Sequence, residues 1–193
     1  QQIHRVPVEP SPETKAFQRQ LQTYLRRGYR AGEGAGAAGR AIGFVMTTYR
    51  KLASSSIADI ERALELRRQR LRGELEEAES VITSLNLTME DLSEGGDDQD
   101  DLGNTLGKSS REEFFADEER MIEDLLLSAK AVRQNDEKLR LFLDDVVGPL
   151  VAEGKKLLVF TEYRATQAYL KAALEARFAQ AGEVVLINGS MSL

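Results

Sequence analysis

Ile57, Leu64, Leu71, Ala78 and Leu85 recur at seven-residue steps, with Ile60, Leu75 and Ile82 on the same stripe. No other feature limits the possible folds so tightly, because a repeat of seven keeps its apolar residues on one face of an α-helix. The pattern predicts a helix of about eight turns beginning at Ile57. A second stripe, Leu125, Val132, Leu139 and Val146, has the same step and is flanked by Phe115, Ile122 and Phe142. Two such stripes bury best against each other. The expectation for 57–150 is therefore a long antiparallel helical hairpin. The polar, glycine-containing residues 91–110 would form a mobile acidic tip. Asn135-Asp136 should divide the second arm, with Asp136 capping a last helix that ends near Val147.

Residues 1–56 form a second region. Pro7, Pro10 and Pro12 favour extended backbone, and Ser11 before Pro12 and Glu13 is a helix start. A helix should run from Pro12 to about Arg27, with Phe17, Leu21, Tyr24 and Leu25 on its apolar face. The run AGEGAGAAG, Ala31 to Gly39, carries four glycines, whose backbone entropy predicts a loop. Helical spacing resumes with Ile42, Val45, Met46, Tyr49 and Leu52. Ala53-Ser54-Ser55-Ser56 then offers a hydroxyl to cap the next helix.

After Gly148-Pro149 the pattern changes. Leu157-Leu158-Val159-Phe160 and Val184-Val185-Leu186-Ile187 are unbroken apolar runs of the kind buried in parallel sheets. Thr161 to Gln180 between them has helical spacing, so 151–193 reads as one βαβ unit. Two strands do not make a stable parallel sheet by themselves. The expected fold is thus mostly α with a C-terminal α/β part whose sheet is incomplete, and the chain reads as a middle piece of a larger intracellular enzyme.

Composition narrows the function. With no cysteine in 193 residues, disulfide scaffolds and thiolate metal sites are excluded, which fits a reducing compartment and a cytoplasmic location. No apolar run approaches the roughly 18–20 residues of a membrane span. The net charge of −6 comes from Glu90, Asp91, Glu94, Asp97, Asp98, Asp100 and Asp101; the rest is nearly neutral, so a phosphate-binding surface elsewhere is compatible with it. No GxxxxGK[ST] loop occurs, and the glycines near Gly34 follow a helix, not a strand. His4 has no partner cluster. Arg62, Arg67, Arg68, Arg70 and Arg72 are interleaved with Glu61, Glu65, Glu74 and Glu76, as on a solvated helix surface, and Asp144-Asp145 also reads as solvated. No catalytic, cofactor-binding or metal-binding residue is expected in this chain.

The loops after the two apolar runs are the candidate binding site, since ligands of open parallel sheets bind at the carboxyl ends of strands. They hold Thr161-Glu162-Tyr163-Arg164-Ala165-Thr166 and Asn188-Gly189-Ser190-Met191-Ser192, with hydroxyls, a helix N-terminus and an arginine suited to phosphate.

KKLLVFTEYRATQAYLKAAL followed by VVLINGSMSL resembles the opening of the second RecA-like lobe of Swi/Snf-type members of helicase superfamily two. VPVEPSPETKAFQRQLQTYL resembles the segment after the first lobe. YRKLASSSIADIERAL resembles the "RLASS" helix of the bacterial HepA-like branch, and NDEKLRLFLDDVV its "D-x-K-L" helix. The resemblance implies a parent that hydrolyses ATP with magnesium and moves along double-stranded DNA. It places Thr161, Arg164 and Thr166, with Tyr163 of the same loop, and Gly189 and Ser190, near the nucleic-acid backbone, where contacts to phosphate give position without sequence choice. The phosphate loop, magnesium-binding acids and arginine finger of such enzymes have no counterpart here, so the chain itself should be inactive. The alternative is a helical adaptor that binds a protein partner through its heptad stripes.

Overall fold

The computed structural model describes residues 5–74, 112–178 and 184–187. Its centre is a bundle of four helices: α1 Pro12–Gly32, α2 Gly36–Ser55, α3 Ile57–Leu71 and α4 Glu118–Gln134. α1 packs on α2 and α4, and α3 packs on the same two, so the four close around one core. Phe17, Leu21 and Tyr24 of α1, Met46 and Tyr49 of α2, Ile60 and Leu64 of α3, and Ile122 and Leu125 of α4 fill it. Each such side chain contributes roughly 1.5–3 kcal/mol when fully buried. α3, which carries Ile57, Leu64 and Leu71 of the first stripe, and α4, which carries Leu125 and Val132 of the second, pack on each other as two members of this bundle.

The caps read from the sequence form as expected. Ser11 accepts from Thr14 N–H, Ser56 from Asp59 N–H and Asp136 from Leu139 N–H. Beyond Asp136 the chain continues as α5 Glu137–Leu141, a π-helical turn over Phe142–Val147 and α6 Gly148–Ala152. After the break and the wider turn, Leu143 and Val147 are the buried residues here, in place of Leu139 and Val146. α7 Arg164–Phe178 follows, within the span predicted as helix.

Three expectations are corrected. The predicted loop over 31–39 is almost entirely helical, interrupted only at Glu33-Gly34-Ala35. Two of its glycines serve helix contact: a Cβ on Gly39 would lie 2.1 Å from the Gly32 carbonyl oxygen, so only hydrogen fits at that crossing. Earlier in α1, a Cβ on Gly28 would lie 2.2 Å from Met46 Sδ.

The helix from Ile57 ends at Leu71, well short of eight turns. Gly73 takes a left-handed φ of 68°, with Gly73 N–H bonded to Arg70 O and Glu74 N–H to Gln69 O. This pair of bonds is a Schellman stop. The remaining heptad positions Leu75, Ala78, Ile82 and Leu85, and the acidic tip 91–110, lie outside the described residues.

The third correction concerns fold class. The described residues contain no strand and no sheet, so the βαβ unit and its RecA-like parallel sheet are not formed. Leu157–Phe160 and Val184–Ile187 are irregular and none of their side chains is buried, with Leu158 77%, Phe160 86% and Ile187 80% exposed. An all-apolar run makes a strand only where neighbouring strands take its N–H and C=O groups and helices cover both faces. Neither surrounds these segments here.

Candidate functional site

Polar chemistry is concentrated in two places, the bundle core and a cleft at its C-terminal side. In the core, Arg67 is 2% exposed and Glu118 is 0% exposed. They meet as a two-pronged pair, Arg67 Nη2 to Glu118 Oε2 at 2.7 Å and Nε to Oε1 at 3.0 Å. Glu118 also accepts from Tyr24 OH and Phe114 N–H, both at 2.7 Å. Arg67 Nη2 donates to Glu112 O at 2.7 Å, and the guanidinium lies 3.7 Å from the Phe114 ring centroid. Charges removed from water need this degree of satisfaction.

The same environment shifts the neighbouring groups. Burial pushes the Tyr24 hydroxyl well above its usual range, with Tyr49 and Glu118 adding to the shift. Burial likewise raises Tyr49 to about 12. Burial opposes the charge on Arg67, but the bonds and attraction from Glu118 outweigh it and raise its affinity for the proton.

The pair is a structural hub. It joins α1, α3, α4 and the 112–117 segment, and both side chains are buried. The arginine-rich face of α3 therefore divides: Arg62 and Arg72 are exposed, while Arg67 and Arg70 are buried. Arg67 was the residue least legible from the sequence, because its acid is 51 positions away and a nearer glutamate exists for pairing.

The cleft, of about 970 Å³, lies between the α2–α3 corner, α5, the π-helical turn and the start of α7. Leu139, Phe142, Val146, Val159 and Leu170 give it apolar walls; Arg50, Lys51 and Lys138 stand at its edge. Its inner seam is hydroxyl-rich. Thr166 N–H donates to Asp59 Oδ1 at 2.8 Å, and the Thr166 hydroxyl donates to Asp59 Oδ2. Ser56 Oγ and Ser55 Oγ lie 2.6 and 3.0 Å from Thr166 Oγ1. With the threonine proton on the carboxylate, Thr166 Oγ1 is left to accept from a serine.

Lys138 Nζ donates to Ser55 O at 2.6 Å and Ser54 O at 3.2 Å, a cation on the free carbonyls at the end of α2. Asp136 Oδ2 accepts from Tyr169 OH at 3.2 Å, and Arg133 stacks on that ring at 5.0 Å. Burial and Asp136 raise the Tyr169 hydroxyl above its usual range. Thr14 donates to Glu137 at 3.0 Å, tying α5 to the start of α1; burial opposes ionisation of Glu137, and the Ser11 and Thr14 hydroxyls outweigh it, lowering its pKa.

The predicted site residues fall unevenly around the cleft. Thr161, Tyr163 and Thr166 line it. Thr166 is buried with its polar atoms engaged as above, and Tyr163 is buried in the core cluster. Thr161 is partly exposed and Arg164, at the first position of α7, is exposed. Gly189 and Ser190, like His4, lie outside the described residues. Asp144 Oδ1 lies 2.5 Å from Arg177 Nη2 as an ion pair, and Asp145 is exposed. Ser55, Ser56 and Asp59 were not anticipated as partners of Thr166; the caps were readable, their convergence was not.

The described residues contain no group of three or more His, Cys, Asp or Glu able to hold a metal ion, and no described helix is long and apolar enough to cross a membrane. The chain matches no family model, no curated protein and no solved structure.

Proposed function

We propose that the chain is a non-catalytic helical module of an ATP-dependent DNA translocase of the Swi/Snf type, acting as the rigid body that positions the 161–166 segment for contact with the DNA backbone. The observation that carries this is a convergence. Three of the segments in which the resemblance lies, Ser54–Ser56, Asp136–Lys138 and Thr161–Thr166, meet at one cleft through direct hydrogen bonds. Tyr163 and Thr166 are positioning residues in this proposal. Thr161 and Arg164 carry the phosphate contacts, which are sequence-independent and weak in number.

The sequence has no GxxxxGK[ST] loop and the described residues hold no cluster suited to a metal ion, so the proposal assigns ATP and magnesium to other parts of the parent enzyme and no step of hydrolysis to this chain. The adaptor alternative would have to use other stripe positions than Ile57, Leu64, Leu125 and Val132, which lie in the bundle core.

Two assays test the proposal together. The chain should show no ATP hydrolysis with or without duplex DNA. At low salt it should retain duplexes of unrelated sequence with similar weak affinity, falling as salt rises, and Arg164→Glu should abolish the retention. Turnover above background, or DNA retention indifferent to Arg164→Glu, would overturn it.

A further inference from the structure

The first turn of α7 has no acidic residue of its own, yet a carboxylate occupies it. Asp59 accepts from both the N–H and the hydroxyl of Thr166. The same Asp59 lies in the first turn of α3, where its own N–H is bonded to the cap Ser56. One buried side chain thus accepts a free N–H in the first turn of α7 and itself lies at the positive end of α3. Thr166 is the buried residue of α7. Tyr169, Leu170, Ala173, Leu174 and Phe178, its apolar side, are all only partly buried. α7 is therefore held mainly by hydrogen bonds, whereas α1 to α4 are held by apolar burial.

We propose that Asp59 is a latch: the Asp59–Thr166 joint holds α7 on the bundle, and breaking it lets α7 leave as a unit while the four-helix core stays folded. Departure would open the cleft, because Thr166, Tyr169 and Leu170 form one of its walls. The physical basis is the position of the joint. Charge-assisted hydrogen bonds are strong in a dry seam and lose most of their value once water enters, so the joint has a closed and an open state with little between. Other attachments of α7 are weaker: the Tyr169 bond to Asp136 is long at 3.2 Å, Arg133 lies 5.0 Å from the Tyr169 ring centroid, and the Arg177–Asp144 ion pair is open to water on its arginine side, which lowers its contribution. The inference depends on this geometry alone and stands apart from the translocase proposal.

Hydrogen exchange on the full chain tests it, comparing the wild type with Asp59→Ala, Asp59→Asn and Thr166→Val. Asp59→Ala should speed exchange of α7 amides about tenfold or more, the usual loss for bonds to a charged group, with amides of 17–25 and 122–132 unchanged. Asp59→Asn, which keeps one acceptor oxygen, should fall between. Asp59→Ala also weakens the first turn of α3, so Thr166→Val, which leaves α3 intact, decides if that variant unfolds. Unchanged α7 protection in Thr166→Val, or loss of α7 and core protection together in that variant, would overturn the latch.

Discussion

The four-helix bundle and the C-terminal part beyond Asp136 are both rich in apolar residues, yet their described residues bury them very differently. In the bundle, apolar residues are spaced three, four and seven apart, so each helix carries one apolar face and the four faces close on each other. Beyond Asp136 the strongest apolar signals are continuous runs, and these end up in solvent at Leu158, Phe160, Val185 and Ile187. A spaced pattern can be satisfied by helices nearby in the chain. A continuous run needs partners on every side, and its content of apolar residues says nothing about whether they are supplied.

The largest expected effect lies in the bundle. Glu118→Ala leaves the Arg67 guanidinium buried without its acid and should cost about 3–5 kcal/mol, read as a shift in urea midpoint. Replacing both partners, Arg67→Met with Glu118→Leu, should cost far less, because no charge is then stranded. A double variant as unstable as the single one would show that the pair is valued for something other than charge balance. Gly39→Ala comes next, at about 1–3 kcal/mol, since its Cβ meets backbone that cannot step aside. Gly28→Ala meets only the flexible Met46 side chain and should cost less, so the order of their melting temperatures checks the α1–α2 crossing.

Alkaline pH gives a third contrast. Tyr49 has its folded pKa raised from 10.0 to about 12 by burial, so below pH 10 its contribution to stability is complete. As pH rises from 10 towards 12 the unfolded chain releases the proton first, and stability falls. Urea midpoints followed through that window should drop for the wild type and drop less for Tyr49→Phe. The smallest effect is expected outside the bundle: Phe160→Ser should change stability by no more than about 0.5 kcal/mol, because the ring is already in water. A cost comparable to that of Gly39→Ala would mean that the 157–160 segment is packed.

The legible parts of the sequence were those decided locally. The caps at Ser11, Ser56 and Asp136 need only a side chain and an N–H three residues on, and the stripes through Leu64 and Leu125 need only helical period. The Schellman stop at Gly73 was also local, but the heptad repeat continuing to Leu85 masked it. What escaped was non-local. Gly39 makes sense only with the Gly32 carbonyl against it, Arg67 only with Glu118, and Thr166 only with Asp59. The same holds for the candidate site: Thr161 and Thr166 line the cleft, but that Thr166 is bonded inward depends on a carboxylate from a helix 107 positions earlier.

The difference between an apolar core and a hydrogen-bonded attachment is tested most directly by native-state hydrogen exchange of the unmodified chain across a series of low urea concentrations. Core amides of α1, α3 and α4 should exchange only through global unfolding, with a strong urea dependence. Amides of α7 should exchange through a smaller opening with a weak dependence. Merging of both sets into one opening of equal free energy and equal urea slope would contradict the account, because α7 would then be as much a part of the core as the helices around Arg67.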